Sequence, residues 1–151
     1  RMPFILVGTG LAFLFLMSCN MIPVGNTIYR PGNSQNSAVI NENKEFSTLL
    51  QKDQINKKEM TAEVLNYLLN ESKAQDPKTA AVIENNSNCN IILRLVGVQS
   101  NQIYNLPISR NSKNQFVILK GKYTLRSNIC GAAYYSQKNI TEPLILKLSA
   151  N

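Results

Sequence analysis

Between Thr79 and Leu148 turn-forming residues cut the chain into short apolar runs, and this limits the possible folds more than any other feature. The runs are Ala81 to Ile83, Asn90 to Val96, Gln102 to Ile108, Gln115 to Leu119, Lys122 to Ser127, Ala132 to Ser136 and Pro143 to Leu148. Asn85-Asn86-Ser87-Asn88, Gly97, the polar stretch Arg110 to Asn114, and Lys120-Gly121 separate them. Lys122 to Ser127 alternates, with Tyr123 and Leu125 opposed to Thr124 and Arg126, as a half-buried strand requires. Short strands with turn signals at intervals of about 8–12 residues predict a small antiparallel β-sandwich. Pro107 lacks a backbone donor, so it confines its strand to an edge or a bulge.

Upstream the period is helical. Phe46, Leu49 and Leu50 have i, i+3, i+4 spacing and predict a short helix over Glu45 to Gln54. Asn56 followed by Glu59 has the form of an N-cap with its capping-box partner. Met60, Val64, Tyr67 and Leu68 then share a face, with Leu65 and Leu69 beside it. Such a stripe more often packs on the chain's own core than on a partner, and Asp76-Pro77 is expected to end the helix. The fold class predicted is α+β: one or two amphipathic helices ahead of the sandwich.

The amino-terminal part differs from both. Pro3 to Met17 is almost wholly apolar, follows Arg1 and ends in Leu16-Met17-Ser18-Cys19. It is shorter than the roughly 20 residues that a spanning helix needs, which makes it a signal-peptide h-region by length and position. A small residue before cysteine at its end resembles a bacterial lipobox, which implies cleavage before Cys19 and lipid attachment to its sulfur. Three acyl chains, at about 0.8 kcal/mol per buried CH₂, hold such a protein on a membrane essentially permanently. Asn20 to Lys44 carries Pro23, Gly25, Pro31, Gly32 and Asn33-Ser34-Gln35-Asn36-Ser37 without hydrophobic periodicity, so it reads as a flexible tether. About 25 such residues would reach some 25–30 Å. The expected organisation is a signal peptide over 1–18, a lipidated tether over 19–44, a helical segment over 45–78 and the β domain over 79–151.

A lipid anchor places the folded part outside the cytoplasm, in an oxidising compartment. No aspartate adjoins Cys19 and no acidic cluster follows it, so the outer membrane with the domain on its periplasmic face is the expected location. The same compartment accounts for the three cysteines. Cys19 takes the lipid, while Cys89 and Cys130 are expected to pair and close a loop of about 40 residues.

Charge divides unevenly. Residues 42 to 84 hold eight of the nine acids, and residues 85 to 151 hold only Glu142 against eight cations, a balance of +7. Arg94, Arg110, Lys113, Lys120, Lys122 and Arg126 are the candidate basic binding face. Anionic lipid, acidic glycan or an acidic protein surface are the partners such a charge favours, and the acidic helices docking on the basic sheet is the intramolecular alternative. Nucleic acid is not expected outside the cytoplasm.

Catalytic chemistry finds little to work with. The chain has no histidine for a Ser-His pair or a zinc site. Glu142 alone cannot supply a two-carboxylate arrangement without help from the helices. No catalytic residue, metal or cofactor beyond the Cys19 lipid is predicted.

Asn88-Cys89-Asn90-Ile-Ile-Leu-Arg-Leu-Val-Gly97, Tyr104-Asn-Leu-Pro-Ile108, Leu119-Lys-Gly-Lys-Tyr-Thr-Leu125 and Cys130-Gly131 together resemble an uncharacterised family of small lipoproteins from Flavobacteria and related Bacteroidota. The resemblance covers roughly residues 60 to 148. It implies the lipoprotein, disulfide and β-domain reading and carries no activity with it. The function expected is that of a non-enzymatic outer-membrane lipoprotein, an accessory or interaction subunit of a larger envelope complex. The alternative is a glycan- or peptidoglycan-binding module, with Tyr104, Tyr123, Tyr134 and Tyr135 stacking on sugars if they face outwards.

Overall fold

The period-2 pattern of the carboxy-terminal half resolves into seven strands in two sheets. The computed structural model describes residues 31–70 and 74–150, with side chains from residue 38 onward. The elements run α1 (Pro31–Ile55), α2 (Lys57–Leu69), β1 (Lys78–Asn85), β2 (Ile91–Gly97), β3 (Ile103–Ile108), β4 (Ser112–Leu119), β5 (Gly121–Ile129), β6 (Ala132–Ile140) and β7 (Leu144–Leu148). A three-stranded sheet has the order β4-β1-β7 and a four-stranded sheet the order β3-β2-β5-β6. Every pairing is antiparallel except β1 with β7, which is parallel.

The core lies between the sheets. Ala81, Ile83, Phe116, Ile118 and Leu148 come from one side, and Ile91, Leu93, Leu95, Leu106, Ile108, Tyr123, Leu125, Ile129 and Ile140 from the other. Full burial of one such aliphatic side chain contributes about 1.5–3 kcal/mol, so this layer is what drives folding. Tyr123 and Tyr104 meet at a centroid distance of 6.1 Å where the chain crosses from β4 to β5. The Tyr123 hydroxyl donates to the Leu119 carbonyl at 2.7 Å, and the Leu119 amide donates to the Tyr104 hydroxyl at 3.1 Å. Burial, with the Tyr104 ring as neighbour, pushes the Tyr123 phenol up to about 12. One core group is left without a partner among the described residues: the Thr79 hydroxyl oxygen, on a side chain that is fully buried. An unmade hydrogen bond of a buried hydroxyl costs about 1–3 kcal/mol. Thr79→Val keeps the shape and removes the oxygen, so it is expected to raise the melting temperature by a few degrees, read by thermal unfolding.

The expected strands and the disulfide are present. Cys89 and Cys130 are bonded, with a Cα–Cα distance of 5.5 Å. Pro107 lies on β3, an edge strand. Strands β1 and β6 run longer than their apolar runs, β1 to Asn85 and β6 to Ile140.

The amino-terminal expectations need correction where the structure reaches them. Helix α1 begins at Pro31, so residues 31–44 are helical and not tether. Proline fits the first helical position because its missing amide would be unpaired there anyway. The polar residues behind it add turns at low cost once the Phe46 end has docked. Asn56 sits between the helices without a side-chain cap, and its carbonyl accepts from the Met60 amide at 3.0 Å. The two helices therefore nearly join, and the expected capping box is not made. Helix α2 stops at Leu69, where Asn70 turns to extended backbone, well before Asp76-Pro77. The Asp76 carboxylate instead accepts from the Lys78 amide at 2.9 Å and starts β1. The signal-peptide segment, Cys19 and residues 20–30 lie outside the described residues. No helix among the described residues is long and apolar enough to cross a membrane.

Candidate functional site

Which cations can act together follows from strand parity. Arg94 on β2 is directly opposite Arg126 on β5, so both project from the outer face of the four-stranded sheet. Lys122 lies four residues before Arg126 on the same strand and shares that face. The other three cations are elsewhere. Lys113 is on β4 in the three-stranded sheet, 3.8 Å from Glu84, which also meets Lys147 at 4.0 Å. Arg110 lies in the β3–β4 connection, and half-buried Lys120 lies at the β4–β5 crossing. The six candidates thus form one group of three and three separate sites.

Two arginines side by side repel unless something intervenes. Here each is turned to a different neighbour. Arg94 Nη1 and Nη2 donate to Glu45 Oε1 and Oε2 of α1, both at 2.8 Å, and Nη1 also donates to Asn105 Oδ1 of β3 at 3.0 Å. That fork-on-fork geometry is the favourable one for guanidinium and carboxylate. Arg94's hydrogen bond holds the Glu45 carboxyl below the usual carboxylate range, with Arg94's charge adding to it against partial desolvation. The Arg126 guanidinium lies 5.6 Å from the centre of the Tyr135 ring on β6. Glu45 is thus where the acidic helix docks on the basic sheet.

The Glu45–Arg94 pair is about 40% exposed on each side, so solvent screens it. Glu45 has a depressed native pKa, so its contribution is present above the unfolded value of 4.5 and is lost as pH falls through the lower native one. Glu45→Gln is expected to cost about 0.5 kcal/mol at pH 7 and progressively less as the pH is lowered below 4.5, measured by urea unfolding across that range.

Around this pair the helix stands off the sheet and leaves a groove of about 710 Å³, lined by Glu42, Glu45, Arg94, Arg126, Asn128, Tyr134 and Tyr135 among others. Next to it a hollow of about 350 Å³ is lined by Val39, Phe46, Ile92 and both bonded cysteines. At the far end of α1, Asp53 accepts from Lys57 Nζ at 3.0 Å and from Asn114 Nδ2 at 3.0 Å, while Lys57 also donates to the Gln115 carbonyl at 2.9 Å. The Phe46 stripe and this lock fix α1 along β3; α2 packs on β4 and β1 with Val64 fully buried.

The tyrosines do not form an outward row. Tyr123 is buried, and Tyr104 and Tyr134 are half-buried against the core. Only Tyr135 of the four is exposed, at 59%. Glu142 lines a depression of about 270 Å³ with Lys138, Asn139, Ile140, Thr141 and Leu144, and no second carboxylate is among those residues. No group of three or more metal-ligating side chains is gathered among the described residues. Glu45 and Tyr135 are the site residues that sequence reasoning did not single out as a pair with the arginines. Glu45 carried a signal, since it lies one residue before Phe46 on the predicted stripe and is the acid nearest the docking face.

No curated protein and no solved structure matches the chain. A protein-family profile described as a domain of unknown function (DUF6759) matches residues 52–151, from the last turn of α1 through both sheets, and the chain belongs to that family.

Proposed function

We propose that this protein is a lipid-anchored lipoprotein of the bacterial outer membrane, and that its sandwich is an accessory interaction module of a larger cell-envelope complex. The observation that carries the reading is the outer face of the four-stranded sheet beyond α1. There Val96 and Ile103 are paired across strands and exposed at 39% and 63%, with Val98 at 54% close by. Arg126 and Tyr135 flank them on the next strands. Exposed apolar side chains rimmed by cations and an aromatic ring are the composition of a protein contact. The lipobox-like Leu16-Met17-Ser18-Cys19 and the Cys89–Cys130 bond support the envelope location.

Native membranes dissolved in mild detergent test both parts. The chain is expected to incorporate labelled fatty acid that Cys19→Ala abolishes, and to migrate with other envelope proteins. An unlipidated chain, or a monomer without co-purifying protein, overturns the corresponding part. The glycan-binding alternative keeps one support, the exposed Tyr135 ring beside Arg126 in the groove; retention on an insoluble peptidoglycan pellet, lost in Tyr135→Ala, would favour it.

A further inference from the structure

Two sheets have four edges, and three of these are short or engaged. On β3, α1 packs alongside, and the Pro107 carbonyl accepts from Asn114 Nδ2 at 2.8 Å. On β4, α2 packs alongside, and the Gln115 carbonyl accepts from Lys57. Strand β7 is five residues long. The fourth, β6, is nine residues long and pairs with β5 through all nine without a bulge. Among the described residues no backbone bond reaches its other side. It contains no proline, so a regular row of amides and carbonyls is open along it. Such an edge is a template for pairing with another chain, and Lys138 is the one charged side chain along it.

We propose that β6 is a docking edge, and that it takes as an added strand an extended acidic segment of another protein. The proposal deepens the reading of this chain as an interaction module by naming the mode and the partner's chemistry. Charge selects the occupant. Across β5 and β6 the charged residues are Lys122, Arg126 and Lys138, and there is no acid. A second copy would bring an edge that carries a cation and no acid, so nothing on it answers Arg126, whereas a strand with glutamate or aspartate at alternate positions would set one beside Tyr135 and within reach of Arg126. In this mode backbone bonds give affinity and alternate side chains give specificity. Arg126 is free for that role because its neighbour Arg94 already holds Glu45, and its contact with Tyr135 is a ring contact.

The test uses the full chain in mild detergent and a nine-residue blocked peptide alternating glutamate with valine and threonine, with a lysine-for-glutamate counterpart. Hydrogen exchange should show saturable protection of β6 amides by the acidic peptide, with β3 and β4 unchanged. The acidic peptide should bind at least tenfold more tightly than the basic one. The double variant Lys122→Glu/Arg126→Glu, both on the outer face that the glutamates would share, should reverse that preference while its melting curve shows an intact fold. Equal binding of both peptides, protection away from β6, or no binding overturns the proposal. So does β6 protection that rises with protein concentration alone, which would make a second copy the occupant. A chain that co-purifies with envelope proteins yet shows no β6 protection keeps its interaction role and loses this docking edge.

Discussion

With its disulfide reduced, this protein is expected to lose about 4 kcal/mol of stability. The bond joins residues 41 apart in sequence, and closing a loop of that length removes roughly this much chain entropy from the unfolded state. For a domain near 100 residues that is a fall of on the order of 20 °C in melting temperature, read by circular dichroism with and without reductant. The position of the bond shows what else it holds. Cys130 and Gly131 are the whole loop between Ile129 and Ala132, which pair across β5 and β6. Their φ angles are +53° and +89°, the left-handed conformation that a two-residue hairpin needs at both positions. Glycine takes it freely, and cysteine does not. Two double variants therefore separate the cross-link from the turn. Cys89→Ala/Cys130→Gly should lose the loop-closure contribution while relaxing the turn. Cys89→Ala/Cys130→Ala should lose the same contribution and keep the turn's cost, lying about 1 kcal/mol lower. Equal melting temperatures for the two would mean that the turn carries no conformational cost at residue 130.

Strand order in sequence was legible because side chains alternate wherever one face is dry and the other wet. On β5 the pattern Lys122, Tyr123, Thr124, Leu125, Arg126 reads directly as out, in, out, in, out, and the structure has it so. The pattern fades where both faces are partly wet. The last residues of β6, from Gln137 to Asn139, look like a loop in sequence because this edge strand meets solvent along its length. It fades again where polarity is buried, since Asn85 reads as a turn residue and is in fact the last residue of β1. The parallel pairing of β1 with β7 has no local signature, because the two strands are brought together only by the core they share. The basic face failed for a related reason. Nearness in sequence gathered six cations, and strand parity returned three of them to one face and left Lys113 on the other sheet beside Glu84. Polar helical residues ahead of Glu45 look like tether in sequence because composition measures what a segment can bury, not whether a docked helix can extend through it.

The buried asparagine gives the other large effect. Asn85 is fully buried at the end of β1, and its side chain joins three segments. Nδ2 donates to the carbonyls of Cys89 at 2.8 Å, Ile108 at 3.3 Å and Ser109 at 3.1 Å. Oδ1 accepts from the Ser87 amide at 3.0 Å and from the Ser87 hydroxyl at 2.7 Å. One side chain thus links the β1–β2 turn to the end of β3, in the stretch that ends at Cys89. Asn85→Ala leaves several buried donors and acceptors without partners, and at about 1–3 kcal/mol for each such group the loss is expected to be about 4 kcal/mol. Asn85→Asp keeps the acceptor and replaces the donor with an oxygen facing three carbonyls. The ionised form is repelled there and the protonated form can donate one bond, so the native state should raise this carboxyl's pKa. A raised native pKa means that the unfolded state gives up its proton first. The variant's deficit is then smallest below the unfolded carboxyl value near 4 and grows as pH rises toward the native one. Urea unfolding of Asn85→Asp at pH 3.5 and pH 7 should therefore give the larger deficit relative to wild type at pH 7. A deficit that does not change between them would show that the Nδ2 bonds, and not the exclusion of charge, are what Asn85 supplies.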